Sequence, residues 1–291
     1  MDHNKLHKKT LDPLRSFDFS QANLQDYHDC RRRFQLRYLE QVRWPAPQAE
    51  PIRENEASIR RGERFHRLAQ QALLGVPLEL LEQAAQADPD PALSGWWQSF
   101  AAFLPALQGG KRLVETLLAA PLERERPGQR LLAKYDLVQL FPDGRALIYD
   151  WKTAPKRPRR ANLEARLQTT VYPYLLALAG QPLNGGQPIR PEQIEMIYWF
   201  AEFPDQPERF VYSQSQFNSG AKELRSLVAE IAQLKEEQFL PTEDEKRCKF
   251  CVYRSLCARG VMAGSVAESE EDFESLGPVE IDLDQIGEIS F

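Results

Sequence analysis

Asp136, Asp150 and Lys152 are the side chains on which chemistry is most readily built. The stretch Ile148-Tyr149-Asp150-Trp151-Lys152-Thr153 reads as a strand, where side chains alternate faces, so Asp150 and Lys152 share one face. Asp136 lies in the preceding strand-like run, across the turn Phe141-Pro142-Asp143-Gly144-Arg145. A three-residue loop at Pro142-Asp143-Gly144 predicts Asp136 directly opposite Asp150 on the same face; a two-residue loop would put them on opposite faces. Two carboxylates and a lysine on one sheet face suit phosphodiester hydrolysis. Carboxylate oxygens bind Mg²⁺ or Mn²⁺, which polarises a phosphoryl oxygen and lowers the pKa of a bound water. A lysine beside the metal can orient that water and stabilise the growing negative charge. Taken alone, Asp-x-Lys equally describes a solvated ion pair on a surface strand.

The four cysteines form a second constellation: Cys30 stands near the start, and Cys248-x-x-Cys251-x5-Cys257 near the end. Zinc sites usually present two close pairs, whereas here one cysteine is isolated and three are grouped. Four thiolates also suit a 4Fe–4S cluster. Free buried thiols are the remaining alternative. Joining residue 30 to the 248–257 segment would close a long loop and restrain the unfolded chain, which makes the expected role structural.

The elements that must position these groups follow from periodicity. Residues 1–19 look loosely ordered. Helical patterns run from about Gln21 to Leu39 and Glu56 to Leu74, and residues 75–111 read as a helical insertion around Trp96, Trp97 and Phe100. Strand-like runs follow at Leu113–Leu118, Leu131–Leu140 and Arg145–Trp151. A helix from about Leu163 to Ala179, strands near Ile194–Phe203 and Arg209–Tyr212, and an amphipathic helix from about Gln216 to Glu237 complete the order. The expected fold is α/β with a mixed α+β sheet flanked by helices, not a doubly wound domain. One domain spans 20–260, followed by an acidic tail over 261–291.

With 42% apolar and 27% charged residues, the chain reads as an ordinary soluble globular protein. The polar N-terminus and the lack of a long apolar run predict a cytoplasmic protein without a membrane partner. From Gly260 to Phe291 there are nine acidic residues and no Lys or Arg, so without them the net charge of −5 becomes +4. Basic clusters then stand out at Arg31–Arg33, at Arg60, Arg61 and Arg64, and at Lys156, Arg157, Arg159 and Arg160. Each describes either a solvated face or a phosphate-binding one. The end of the tail alternates apolar and acidic residues, which suits either a solubilising segment or a strand folded back over a positive face. Gly109-Gly110-Lys111-Arg112 lacks the earlier Gly and the Ser/Thr of a phosphate-binding loop, so any unwinding has to come from a partner such as a helicase or another repair protein.

Read in order, the chain carries Gly62-x-x-x-His66, Asp136, Asp150-x-Lys152 and Gln168-x-x-x-Tyr172, with Cys30 in Tyr27-His28-Asp29-Cys30-Arg31-Arg32-Arg33-Phe34. This set resembles the PD-(D/E)XK nuclease superfamily, in the branch of the RecB and AddB nuclease domains and the CRISPR-associated iron–sulfur exonucleases, over about residues 17–260. The resemblance implies a restriction-endonuclease-like core with an Fe–S clamp joining the N- and C-terminal segments. It implies His66, Asp136, Asp150 and the main-chain carbonyl of Trp151 as ligands of Mg²⁺ or Mn²⁺. It implies Lys152 as the catalytic lysine, Gln168 and Tyr172 as residues that steady it and contact DNA, and Cys30, Cys248, Cys251 and Cys257 as ligands of a 4Fe–4S cluster. Two departures stand out. Ala133-Lys134-Tyr135 precedes Asp136 where many relatives have Gly-Arg-hydrophobic, and Pro173 follows Tyr172 inside a helix. The expected activity is that of a DNA exonuclease in repair or recombination. The alternatives are a CRISPR adaptation nuclease and a non-catalytic nucleic-acid-binding module with a structural metal cluster.

Overall fold

Alternation of apolar side chains along the strands decides which helices pack on which face of the sheet. The computed structural model describes residues 14–42, 52–123, 126–249 and 251–260. In chain order they form β1 (Phe17–Ser20), α1 (Gln21–Asp29), α2 (Arg31–Phe34), α3 (Ile52–Leu73), α4 (Leu78–Gln86) and α5 (Pro91–Phe103). Then come β2 (Lys111–Pro121), β3 (Gln129–Leu140), β4 (Ala146–Lys152), α6 (Arg160–Glu164) and α7 (Leu167–Ala179). The order ends with β5 (Ile194–Phe200), β6 (Glu208–Val211), α8 (Gln214–Gln233) and α9 (Glu245–Cys248). They build one mixed six-stranded sheet flanked by helices, consistent with a restriction-endonuclease-like core. The acidic tail lies outside the described residues. Among those described, no helix is long and apolar enough to cross a membrane.

The sheet runs β1-β3-β4-β5-β6, with β2 on the other edge of β3. β2 pairs antiparallel with β3 along nearly its whole length, from Lys111↔Leu140 to Pro121↔Arg130. The opposite edge of β3 is shared. β1 lies parallel to its start, Phe17↔Gln129 to Ser20↔Leu132, and β4 pairs antiparallel with its end, Leu137↔Tyr149 to Leu140↔Ala146. Residues 133–136 of β3 therefore have no strand on that edge. The parallel β4–β5 ladder carries on through Lys152↔Phe200.

One face of the sheet is covered by α1, α7 and α8, whose Leu24, Leu175 and Leu224 share one core cluster with the strand residues Ile148, Met196 and Tyr198. On the other face α3, α4 and α5 meet Leu147, Tyr149, Trp151 and Trp199. The expected insertion over 75–111 is thus the cover of a sheet face. Its Phe100 is fully buried and lies 5.2 Å from the Trp151 ring and 5.7 Å from the Trp199 ring, centroid to centroid.

Two expectations need correction. Residues 17–20 are not loose: β1 forms a parallel ladder, and Ser20 then caps α1, its Oγ accepting from Asn23 N at 3.4 Å while Asn23 Oδ1 accepts from Ser20 N at 2.9 Å. Nor is the helix expected over 21–39 continuous. It breaks at Cys30, whose backbone is extended (φ −162°, ψ 109°). The break turns residues 31–39 back onto buried Asp26, which takes Arg33 at 2.9 Å, Arg37 at 3.1 Å and the Tyr38 hydroxyl at 2.9 Å. Arg33 is consequently buried and closed to phosphate, contrary to its place in an expected basic face. Other cluster arginines pair as well: Arg31 with Glu230, Arg64 with Asp88, and Arg157 and Arg160 with Glu208.

If α5 is part of the core, Phe100→Ala should cost about 3–5 kcal/mol of global stability, the range for emptying a buried aromatic site. Urea unfolding followed by tryptophan fluorescence measures it. A loss under about 1 kcal/mol, or separate melting of the α3–α5 layer, would contradict the assignment of this layer to the main core.

Candidate active site

The β3–β4 turn has the longer of the two loops considered. Phe141 N donates to Arg145 O at 2.9 Å, closing a three-residue loop at Pro142-Asp143-Gly144, with Gly144 at φ +92°. Continuing the register from Leu137↔Tyr149 puts Asp136 opposite Asp150. The ladder itself stops one pair earlier. At Asp136 the strands part, and its Oδ2 accepts from the Trp151 N–H at 2.8 Å in place of a backbone carbonyl. The Trp151 side chain is buried in the aromatic layer, so only its main chain faces the site.

Across β3, the partner of Asp136 in β2 is Glu115, and both leave the ladder: Val114↔Leu137 and Thr116↔Tyr135 pair on either side. Glu115 takes a left-handed conformation, φ +51°. The apolar alternation changes phase at this level in both strands. Leu131, Ala133 and Tyr135 face the α7 side, but so do Val138 and Leu140, while Leu137 faces the other layer. In β2, Leu113 and Leu118 face one layer and Val114 the other. Both strands rotate through one residue together, which preserves register and leaves two carboxylates at the seam. A left-handed non-glycine costs on the order of 1–2 kcal/mol, so something must hold it there.

His66 on α3 approaches the seam from the opposite layer, with Nδ1 3.5 Å from Asp136 Oδ1. Among the described residues, His66, Glu115 and Asp136 are the set of three whose ligand atoms all lie within 4.8 Å of one another. An imidazole nitrogen and two carboxylates suit a divalent cation of the Mg²⁺/Mn²⁺ class. Burial is the largest influence on Asp136 and would raise its pKa. The charge and hydrogen bond of His66, the Trp151 N–H and Lys152 outweigh it and hold the carboxyl below its usual range. Glu115 moves the other way: burial, then the Asp136 charge, push it up against the pull of Lys134, 2.7 Å away.

Asp150 lies outside that set of three and belongs to a second, connected group. Its Oδ2 is 2.7 Å from Lys152 Nζ, and its Oδ1 accepts from Gln168 Nε2 at 2.6 Å. Gln168 in turn hydrogen-bonds Tyr172, one turn along α7. All four side chains are nearly fully buried. The Tyr135 hydroxyl donates to the Tyr172 carbonyl at 2.9 Å and ties α7 to β3. Pro173 sits inside α7 without ending it; lacking an N–H, it leaves the Thr169 carbonyl without its helical donor. The structure therefore brings the expected residues to one region in two clusters, Asp136–His66 and Asp150–Lys152–Gln168–Tyr172. It adds Glu115, whose only signal in the sequence is an acid inside the apolar run Leu113–Leu118.

The four cysteines come together from both ends of the chain. Burial raises the Cys248, Cys251 and Cys257 thiols, Cys251 to about 11, and the nearby Cys30 adds to each rise. None of the four is in a disulfide. The two segments are also joined without sulfur: Arg247 pairs with Asp29, Arg32 N donates to Leu240 O at 3.2 Å, and the Phe34 and Phe239 rings stack.

Comparison with known proteins gives four results. SSO0001, a solved structure, is 12% identical with a TM-score of 0.40, over 82% of this chain and 85% of its own. A candidate exonuclease from Eubacterium rectale is 10% identical with a TM-score of 0.46, over 84% of this chain and 91% of its own. The comparison with curated proteins returned no match. The model of the PD-(D/E)XK nuclease superfamily matches residues 18–258, which include both clusters and all four cysteines. The chain belongs to the PD-(D/E)XK nuclease superfamily.

Proposed function

We propose that this chain is a metal-dependent deoxyribonuclease that degrades DNA from ends, with His66, Asp136, Asp150 and the Trp151 main-chain carbonyl serving its Mg²⁺ or Mn²⁺ and Lys152 as catalytic lysine. The observation that carries the reading is the buried Asp150–Lys152–Gln168 group beside the His66–Asp136 pair, where strands β3 and β4 part. A surface ion pair would be solvated; here the Asp150 and Lys152 side chains are only 6% and 7% exposed. Desolvating such a pair is costly, and a site that uses the charges compensates for it.

A divalent cation at this centre would polarise a phosphoryl oxygen and acidify a water. The chain's own groups do the positioning. Asp150 Oδ2 holds Lys152 Nζ, whose remaining N–H groups donate to the scissile phosphate or orient the attacking water. Gln168 fixes the other Asp150 oxygen, and Tyr172 fixes Gln168. Degradation from ends and a role in repair or recombination rest on the resemblance of the motif set to the RecB and AddB nuclease domains. An unwinding partner would supply single strands.

The cysteines are read as ligands of a structural 4Fe–4S cluster. Zinc sites usually present two close pairs of ligands, whereas here Cys30 is isolated in the sequence and Cys248, Cys251 and Cys257 are grouped, a spacing that supports the iron–sulfur reading over zinc.

Three outcomes test this reading. Asp150→Ala and Lys152→Ala should each lower cleavage of end-labelled linear DNA on the order of a hundredfold or more, with the fold intact by circular dichroism. Near-parental rates would remove these residues from the mechanism, and equal cutting of circular DNA would remove the end requirement. His66→Ala should weaken Mn²⁺ affinity and leave the melting temperature of the metal-free protein nearly unchanged, because His66 is partly exposed. A large drop in melting temperature with parental Mn²⁺ affinity would make it a packing residue. Anaerobically purified protein should be brown, absorbing near ~400 nm, and lose the colour when any one cysteine becomes Ser. Stoichiometric zinc without iron would overturn the cluster. Because ion pairs and ring stacking also join the two segments, the Ser variants should still fold.

A further inference from the structure

Glu115 shares the seam with Asp136 and His66, yet the nuclease reading gives it no work. We propose that Glu115 is itself a ligand of the divalent cation, presented by the left-handed turn in β2, and that Lys134 holds its carboxylate until the cation arrives. The proposal rests on the cation centre set out under Proposed function.

The competing description is an ordinary cross-strand ion pair between Glu115 and Lys134, 2.7 Å apart. Such a pair needs no left-handed residue, because side chains on neighbouring regular strands already reach one another. Glu115 nevertheless sits at φ +51° and gives up its place in the β2–β3 ladder. What the turn achieves is convergence: His66 from α3, Glu115 from β2 and Asp136 from β3 bring one ligand atom each within 4.8 Å of the others. Two carboxylates at that spacing repel. Lys134 answers for one of them, and its side chain is 52% exposed against 17% for Glu115, so the counter-charge comes from the solvent side and can leave. A divalent cation would neutralise both acids at once and accept the imidazole nitrogen as well. Asp150, read above as a further ligand, is held by Lys152 and Gln168 and lies outside this set of three, in which Glu115 is the second carboxylate beside Asp136.

The two descriptions part on the sign of the Lys134 effect. Mn²⁺ is titrated calorimetrically into DNA-free protein: parent, Glu115→Gln, Glu115→Gly, Lys134→Met and Asp136→Asn. Glu115→Gln should weaken Mn²⁺ binding on the order of tenfold or more, while Lys134→Met binds as tightly as the parent or more tightly. Glu115→Gly should lose the same affinity without a lower melting temperature in chelator, because glycine adopts φ > 0 freely; it also keeps the test open if glutamine is poorly tolerated. Binding by both Glu115 variants within about twofold of the parent would overturn the proposal, as would equal weakening by Glu115→Gln and Lys134→Met. If Asp136→Asn loses binding while the Glu115 variants keep it, Glu115 alone is wrongly placed. If Asp136→Asn also binds normally, the cation centre itself fails.

Discussion

The candidate site depends on one constraint of sheet geometry: a strand edge can pair with only one neighbour at a time, and β3 uses one edge for two. β1 takes that edge as far as Leu132, and β4 begins only at Leu137. The residues between would leave backbone groups without ladder partners, and at the far end the Asp136 carboxylate replaces a carbonyl by accepting the Trp151 N–H. The opening admits side chains from both helical layers. His66 enters from the layer of α3 to α5, and Gln168 and Tyr172 from α7 on the other. A closed ladder would have kept the two layers apart.

Around the opening, buried polar groups are connected in series: Tyr172 to Gln168, Gln168 to Asp150, Asp150 to Lys152. Such chains are stable only when each member is satisfied, so they hold side chains in one arrangement. The aromatic layer behind β4 does the same by packing, with Trp151 between Phe100, Tyr149 and Trp199. The main chain of Trp151 is thus fixed from behind by a side chain that takes no part in the chemistry.

Much of this was legible in the sequence where local rules decide. The turn Pro142-Asp143-Gly144 has the residue types of a three-residue loop, and loop length sets register, so Asp136 opposite Asp150 followed from counting. The strands and most helices followed from their apolar periods. Three features were hidden because tertiary structure decides them. Cys30 breaks a helix whose local pattern is continuous, because Arg33, Arg37 and Tyr38 are drawn back onto Asp26. The arginine clusters look like a basic face until their carboxylate partners, distant in sequence, are in place. Glu115 reads as a solvent-facing residue of a strand, because no local signal announces a left-handed turn at a non-glycine.

The central claim is that a divalent cation occupies the gap left where β3 changes partners. Anomalous diffraction at the manganese edge, from crystals soaked in Mn²⁺, tests it most directly. The account predicts a peak bonded to the Asp136 carboxylate, beside His66 and above the point where β3 and β4 separate. Well-ordered density for Asp136 and His66 with no anomalous peak between them, at a Mn²⁺ concentration that supports cleavage in solution, would contradict it.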